Sequence, residues 1–403
     1  MRTLLDENPS LALLQVTCGD LGLVESIYGW QVLDRVMWKA VDLVRGLQGG
    51  ALSPRVILAL NGIAGEEILI FEPGEDAGKG IDAEEAARRA SAVARALEAG
   101  FGSEGFHSMT PKLSFRVGYS LIQENPHFRF ERIVYRALEQ ARTRQAKREQ
   151  RRQTEWGAAL RRIIRDGEVT TLYQPVVRLD TLEVVGYEAF SCGPGSGPLS
   201  APGMLFALSE RLGVSGELDR VCRRAAVRRA GPLPGEMKLF INTRPGNLAD
   251  PEWGSEELLE SLSRVHLRPE DVVIEVPEGA VADAEALRGP VECLRGRGFR
   301  IALDDVGTGY SSVRSIEAVR PDYLKVDLSL VHEVDRSLLK QEVLTSLLQI
   351  AARVGAQVIA EGIETEEELS TVRRSGAHMG QGYFFARPSP VIAGAAFPSV
   401  GGR

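Results

Sequence analysis

The chain has 403 residues, 44% of them hydrophobic and 26% charged, with a formal net charge of -7. This is the composition of a soluble globular protein long enough for two or three domains, and its acidic balance argues against a surface that binds DNA or RNA. Four scattered cysteines (Cys18, Cys192, Cys222, Cys293) without a CxxC pair exclude a zinc-ribbon or disulfide scaffold, no run reaches the ~18 apolar residues of a membrane span, and Asp6 and Glu7 interrupt the start where a signal peptide would be apolar. A cytoplasmic protein with no membrane insertion is expected.

Residues 1–140 mix short apolar runs (LALLQV, RVILAL, EILIF, FRVGYSLI) with helical stretches such as WQVLDRVMWKAVDLV, the pattern of one small layered α/β domain. ARTRQAKREQRRQTEW follows, with six basic residues between Arg142 and Arg152 and neither Gly nor Pro. It reads as an exposed connecting helix over 141–164, with Trp156, Leu160, Ile163 and Ile164 at helical spacing leading into the next domain. From 165 to 395, the apolar runs TLYQPVV, VVGYEAF, LFINT, VVIEV, RIALDD, YLKVD, QVIAE and GYFFA alternate with amphipathic segments. In ELDRVCRRAAV, Leu218, Val221, Cys222 and Ala225 form one stripe, while LLKQEVLTSLLQIAARVG stops at Gly355 as a helix C-terminus should. Repeated strand–helix units predict a mostly parallel sheet, most economically a closed TIM-like (β/α) barrel.

Polar residues close nearly every run: Glu188, Asn242, Glu275, the pair Asp304 and Asp305, Lys325 and Glu361. In parallel barrels the C-terminal strand ends converge on one site. Any one of these acids is equally an N-cap or a solvated loop residue. Their recurrence in successive units argues for a shared site, where five carboxylates and an amide would repel one another without cations. An all-oxygen donor set points to Mg²⁺ or Mn²⁺ rather than zinc, and adjacent Asp304 and Asp305 suit two neighbouring metals. DDVGTGYSS is a Gly-rich turn without the GK[ST] ending of a nucleoside-triphosphate loop.

The ordered motifs YQPVV, GYEAF, ELDR, FINTRP, IEVPE, DDVGTGYSS, LKVD, AEGIET and QGYFFARP resemble the EAL domain, the bacterial phosphodiesterase that cuts cyclic di-GMP to linear pGpG, over residues 165–392. The resemblance implies a barrel and divalent-metal hydrolysis. It implies Glu188, Asn242, Glu275 and Asp304 as ligands of one metal, and Asp305 and Glu361 as ligands of a second. Lys325 matches the lysine that contacts the attacking water and assists its deprotonation, and Glu364 the second acid of AEGIE. Glu278 matches the residue that anchors the DDVGTG loop, and Gln174 and Gln381 match residues lining the substrate pocket. A homodimer is expected by analogy only, and the resemblance names no upstream or downstream protein partner.

Four positions depart from the family pattern. Phe190 replaces the leucine of EAL, and Cys192 replaces an arginine that binds substrate phosphate in the family, a loss of about 1.5–3 kcal/mol for one charge-assisted contact. Val306 replaces phenylalanine, and Pro277 replaces the threonine before Glu278, which leaves the anchoring of that loop open. A weakened enzyme and a catalytically inactive cyclic di-GMP receptor are therefore both consistent with the sequence. In the N-terminal domain, AGEEI (Ala64 to Ile68) and YGWQVLDRVM resemble signatures of GGDEF diguanylate cyclases. In that register Thr17 and Gly19 stand where metal-binding aspartates belong, Glu25 replaces a guanine-reading asparagine, Glu66 alone cannot hold two metals, and Leu58 stands where the inhibitory RxxD element would have aspartate. A degenerate domain without cyclase activity is expected, with a regulatory or dimerising role and GTP binding left open.

Overall fold

The computed structural model describes residues 2–19, 30–61, 67–74, 78–101, 114–233, 236–278, 284–307 and 312–392. Glu25, Glu66 and most of the glycine-rich turn after Gly307 lie outside the described residues. The chain divides into two compact units, Met1–Trp156 and Gly157–Arg403.

The first unit holds an antiparallel sheet in the order β2-β3-β1-β4, from β1 (Ser10–Gly19), β2 (Ile57–Asn61), β3 (Glu67–Glu72) and β4 (Ser114–Gln123). The apolar run LALLQV is continuous because both faces of β1 are covered. Ala12, Leu14 and Val16 meet the helices Trp30–Arg45 and Ala83–Phe101, while Leu11 and Leu13 share a second core with Ala137 of the helix Phe130–Asp166. That last helix is 37 residues long and carries the basic stretch; its apolar positions Ile133, Val134 and Leu138 face this second core.

The second unit is a closed barrel in the order β10-β11-β12-β5-β6-β7-β8-β9. Its strands are β5 (Thr170–Arg178), β6 (Val184–Cys192), β7 (Lys238–Asn242), β8 (Val272–Pro277), β9 (Arg300–Val306), β10 (Tyr323–Val326), β11 (Gln357–Ala360) and β12 (Met379–Gly380). All neighbours are parallel except that β5 runs antiparallel to both β6 and β12. The reason is local: only five residues separate β5 from β6, too few for a parallel crossover, and Leu182 N–H closes the turn on the Arg178 carbonyl at 2.8 Å. Two cores follow from the pleat. Val176, Phe240, Val273, Ala302, Ile359 and Met379 fill the barrel interior, whereas their sequence neighbours Leu239, Ile241, Val272, Ile274, Ile301, Leu303, Val358 and Ala360 face the surrounding helices. Among the described residues no helix is long and apolar enough to cross a membrane.

Candidate active site

The interior layer of the barrel positions the polar layer above it. With a side-chain period of two, the residue two steps beyond an inward apolar residue also points inward. From Phe240 this gives Asn242, from Val273 Glu275, from Ala302 Asp304, from Tyr323 Lys325, from Ile359 Glu361 and from Met379 Gln381. In the reversed strand β5 the count runs backwards, from Val176 to Gln174. Gln174 pairs in register with Glu188, and Asn242 with Glu275.

Lys325 stands at the centre. Its Nζ lies 2.7 Å from Glu275 Oε1, 2.7 Å from Glu361 Oε1, 3.1 Å from Glu188 Oε2 and 3.2 Å from Asp304 Oδ1, and the side chain is 1% exposed. Asn242 Nδ2 donates to Glu188 Oε1 at 2.8 Å, and Gln381 Nε2 donates to Glu188 Oε2 at 2.8 Å and to Gln174 Oε1 at 2.9 Å. Gln174 in turn donates to the Ala386 carbonyl at 2.9 Å, which ties the layer to the closing segment. Asp304, Asp305 and Glu361 each offer an oxygen within 4.8 Å of the others. Asp305 holds a left-handed backbone, φ 58°, a conformation unusual for aspartate and of the kind that collects at functional sites.

The electrostatics follow from burial and crowding. Burial opposes the charge of Lys325, but Asp304, Glu188, Glu275 and Glu361 together hold its pKa well above the usual lysine value, so it is an ammonium. Burial likewise pushes Glu188 up, yet Lys325 and the hydrogen bonds from its neighbours hold it below the ordinary carboxylate range. Burial and the Glu188 charge push Glu275 well up, burial raises Asp304, and burial with the charge of Asp304 lifts Asp305 to about 6. Glu361 rises to about 8 through burial, against the pull of Lys325. Glu275 Oε1 and Asp304 Oδ1 face only the shared Lys325 ammonium, at 2.7 and 3.2 Å, and the buried Oε2 of Glu275 accepts no hydrogen bond among the described residues. Four buried carboxylates that share a single ammonium keep acceptor capacity to spare, all of it on hard oxygens, and this fits a divalent cation better than any side chain present.

Glu278 is buried below the loop after β9, where its Oε2 accepts the Gly307 N–H at 3.1 Å, so this end of the loop is tied down with Pro277 in place. Glu364 lines the cavity beyond β11, and its N–H donates to Glu368 Oε2 at 2.9 Å. The cavity above the polar layer has a volume of 920 Å³ and includes Gln174, Glu188, Asn242, Asp304, Asp305, Lys325, Glu361 and Gln381 in its lining. Phe190 lines it, whereas Cys192 does not; the Cys192 thiol points to the Thr170 carbonyl at 3.6 Å.

Among the lining residues that the sequence does not single out are Asp219, Phe206 and Arg244. Arg244 sits two positions after Asn242 in FINTRP, so its place beyond a strand end was the available signal. Asp219 belongs to a network under the cavity wall, with Arg223 at 2.6 Å and Arg223 at 2.9 Å from Glu252 and stacked 3.8 Å over the Trp253 ring.

The family model of the EAL domain matches residues 157–388. Over 240 residues the chain is 32% identical to the probable cyclic di-GMP phosphodiesterase PdeG of Escherichia coli, covering 58% of this chain and 47% of that protein. Over 241 residues it is 31% identical to the cyclic di-GMP phosphodiesterase NbdA of Pseudomonas aeruginosa, covering 58% of this chain and 30% of that protein. The chain thus spans less than half the length of these curated relatives. Among solved structures, the PaMucR phosphodiesterase in complex with c-di-GMP is 25% identical, with a TM-score of 0.51 and coverage of 57% of this chain and 96% of that one. The EAL domain of Xanthomonas citri FimX shares the fold at 21% identity and a TM-score of 0.54, covering 61% and 97%. With more than half its length matched by the family model and the family's acidic strand ends gathered on one barrel mouth, the chain belongs to the EAL domain family.

Proposed function

We propose that the barrel hydrolyses cyclic di-GMP to linear pGpG with Mg²⁺ or Mn²⁺, in the bacterial cytoplasm. The observation that carries this reading is the oxygen cage around Lys325, in which four carboxylates share one ammonium and the buried Oε2 of Glu275 accepts no hydrogen bond among the described residues. Glu188, Asn242, Glu275 and Asp304 would hold one cation, and Asp305 and Glu361 a second. Five ionised carboxylates around one ammonium leave four negative charges, which two divalent ions balance. Such ions, when bound, acidify water and offset phosphodiester charge. Lys325, held protonated, donates to the attacking water and so favours its deprotonation. Glu361, beside the Lys325 ammonium at the mouth of the barrel, is placed to take the proton that the water releases, and Glu364 lines the same cavity. Gln174 and Gln381 orient Glu188 and present amides to the ligand, while Glu278 fixes the loop that follows Asp305.

A receptor that binds the nucleotide without cleaving it is favoured by one observation. Cys192, where the family's phosphate-binding arginine stands, turns its thiol to the backbone and supplies no charge. For the N-terminal unit we infer a degenerate GGDEF-like domain with a regulatory or dimerising role. Thr17, at a position where a cyclase needs a metal-binding aspartate, has a hydroxyl that accepts from Gln145 Nε2 at 2.8 Å. The test is incubation of the intact chain with cyclic di-GMP and Mg²⁺ or Mn²⁺, with chromatography for pGpG and Glu188→Ala as the blank. Product from the wild type alone is the expected result; binding without product would establish the receptor.

A further inference from the structure

Two divalent ions would only balance the acidic floor of the cavity, so an anionic nucleotide gains from positive charge elsewhere in the lining. Among its described lining residues only Lys325 and Arg244 are permanently charged cations, and Lys325 is enclosed by four carboxylates. Arg244 lies just beyond β7, with 31% of its side chain exposed and its guanidinium 5.5 Å from the ring centre of Phe206. Its ion-pair partner is Glu210, on the helix Pro202–Arg211, whose side chain is 61% exposed.

We propose that Arg244 is the phosphate-binding, affinity-determining residue of this chain, a phosphodiester of the cyclic dinucleotide displacing Glu210 from its guanidinium. The inference rests on the phosphodiesterase reading above and gives that site its anchor for the ligand's charge. The exchange is physically favourable. An ion pair with a solvated carboxylate contributes little, whereas a guanidinium fork matches phosphate oxygens in two parallel bonds and strengthens as water leaves. Phe206 supplies an apolar and cation–π support that limits the rotamers of Arg244 before the ligand arrives. The position vacated by charge at Cys192 is thereby answered from a different strand end.

The experiment is equilibrium binding of cyclic di-GMP to the intact chain in Ca²⁺, over a range of KCl concentrations. Arg244→Gln is expected to weaken binding about ten- to a hundredfold and to flatten its salt dependence, with Arg244→Lys intermediate. Glu210→Gln, at an exposed position that folding tolerates, is expected to tighten binding. Wild-type binding that Arg244→Gln leaves unchanged, in strength or in salt dependence, would overturn the assignment. So would Glu210→Gln weakening binding, the result if the pair only braces the cavity rim. Wild-type protein that does not bind at all would instead remove the phosphodiesterase reading, and this inference with it.

Discussion

Lys325 decides the character of the site. One ammonium at 1% exposure offsets four carboxylates, and no hydrophobic residue of similar length does that. Lys325→Met leaves buried like charges facing each other, a class of change that costs about 3–5 kcal/mol. Hydrogen exchange of the barrel amides should show that loss in chelator and a partial recovery in Mg²⁺, while turnover stays down at least ~100-fold. Protection equal to wild type in chelator would show that the carboxylates do not depend on this lysine.

Asp219 gives the pH dependence a sign. Burial pushes its carboxyl to about 6 although Arg223 pulls the other way. The folded state therefore binds this proton more readily than the unfolded chain, so the Asp219 contribution to stability is fully present below about 4 and is lost as pH rises through 6. Two pH decades correspond to about 3 kcal/mol, and Asp219→Asn removes the dependence. The stability difference between wild type and Asp219→Asn, read by hydrogen exchange from pH 4 to 7, should shift toward the variant by that order as pH rises. A flat difference would show that Arg223, with Asp250 and Glu252 beside it, fully compensates the buried charge.

At the scale of elements, much of the site was legible because it obeys a simple pattern. Apolar runs ending in Glu188, Asn242, Glu275, Asp304 or Glu361 show both the strand and its polar end, and the period of two places them on one face. What stayed hidden depends on meetings between distant segments. Arg244 acquires meaning only when Phe206 and Glu210 arrive from the helix Pro202–Arg211, and Asp219 reads as an ordinary polar position of ELDR until Arg223 and Trp253 enclose it. The left-handed turn at Asp305 is likewise set by the surrounding fold, since nothing in DDVG requires it. The reversal of β5 was readable from its short connection to β6. Closure of the barrel is a close backbone approach: a Cβ on Gly382 would collide with the backbone of Ile363, whose N–H bonds the Gln381 carbonyl at 3.0 Å. Gly382→Ala should displace Gln381 from Glu188, destabilise the barrel by about 1–3 kcal/mol and lower turnover about tenfold or more. Unchanged activity and exchange would show that this segment yields without moving the site.

At the scale of the whole molecule, the two units carry separate cores and the family match belongs to the second. The EAL barrel contains the residues proposed for hydrolysis, and its polar layer stands on the strands or, for Glu361 and Gln381, one residue past them, which holds these side chains in fixed register. On the proposed reading, this layer of crowded carboxylates is held ready for divalent cations to complete. Calorimetric titration of Mn²⁺ into the intact chain at neutral pH tests it most directly. Saturable binding by the wild type that Glu275→Gln and Asp304→Asn each weaken at least tenfold is the predicted result. No saturable binding, or binding indifferent to both substitutions, would contradict it.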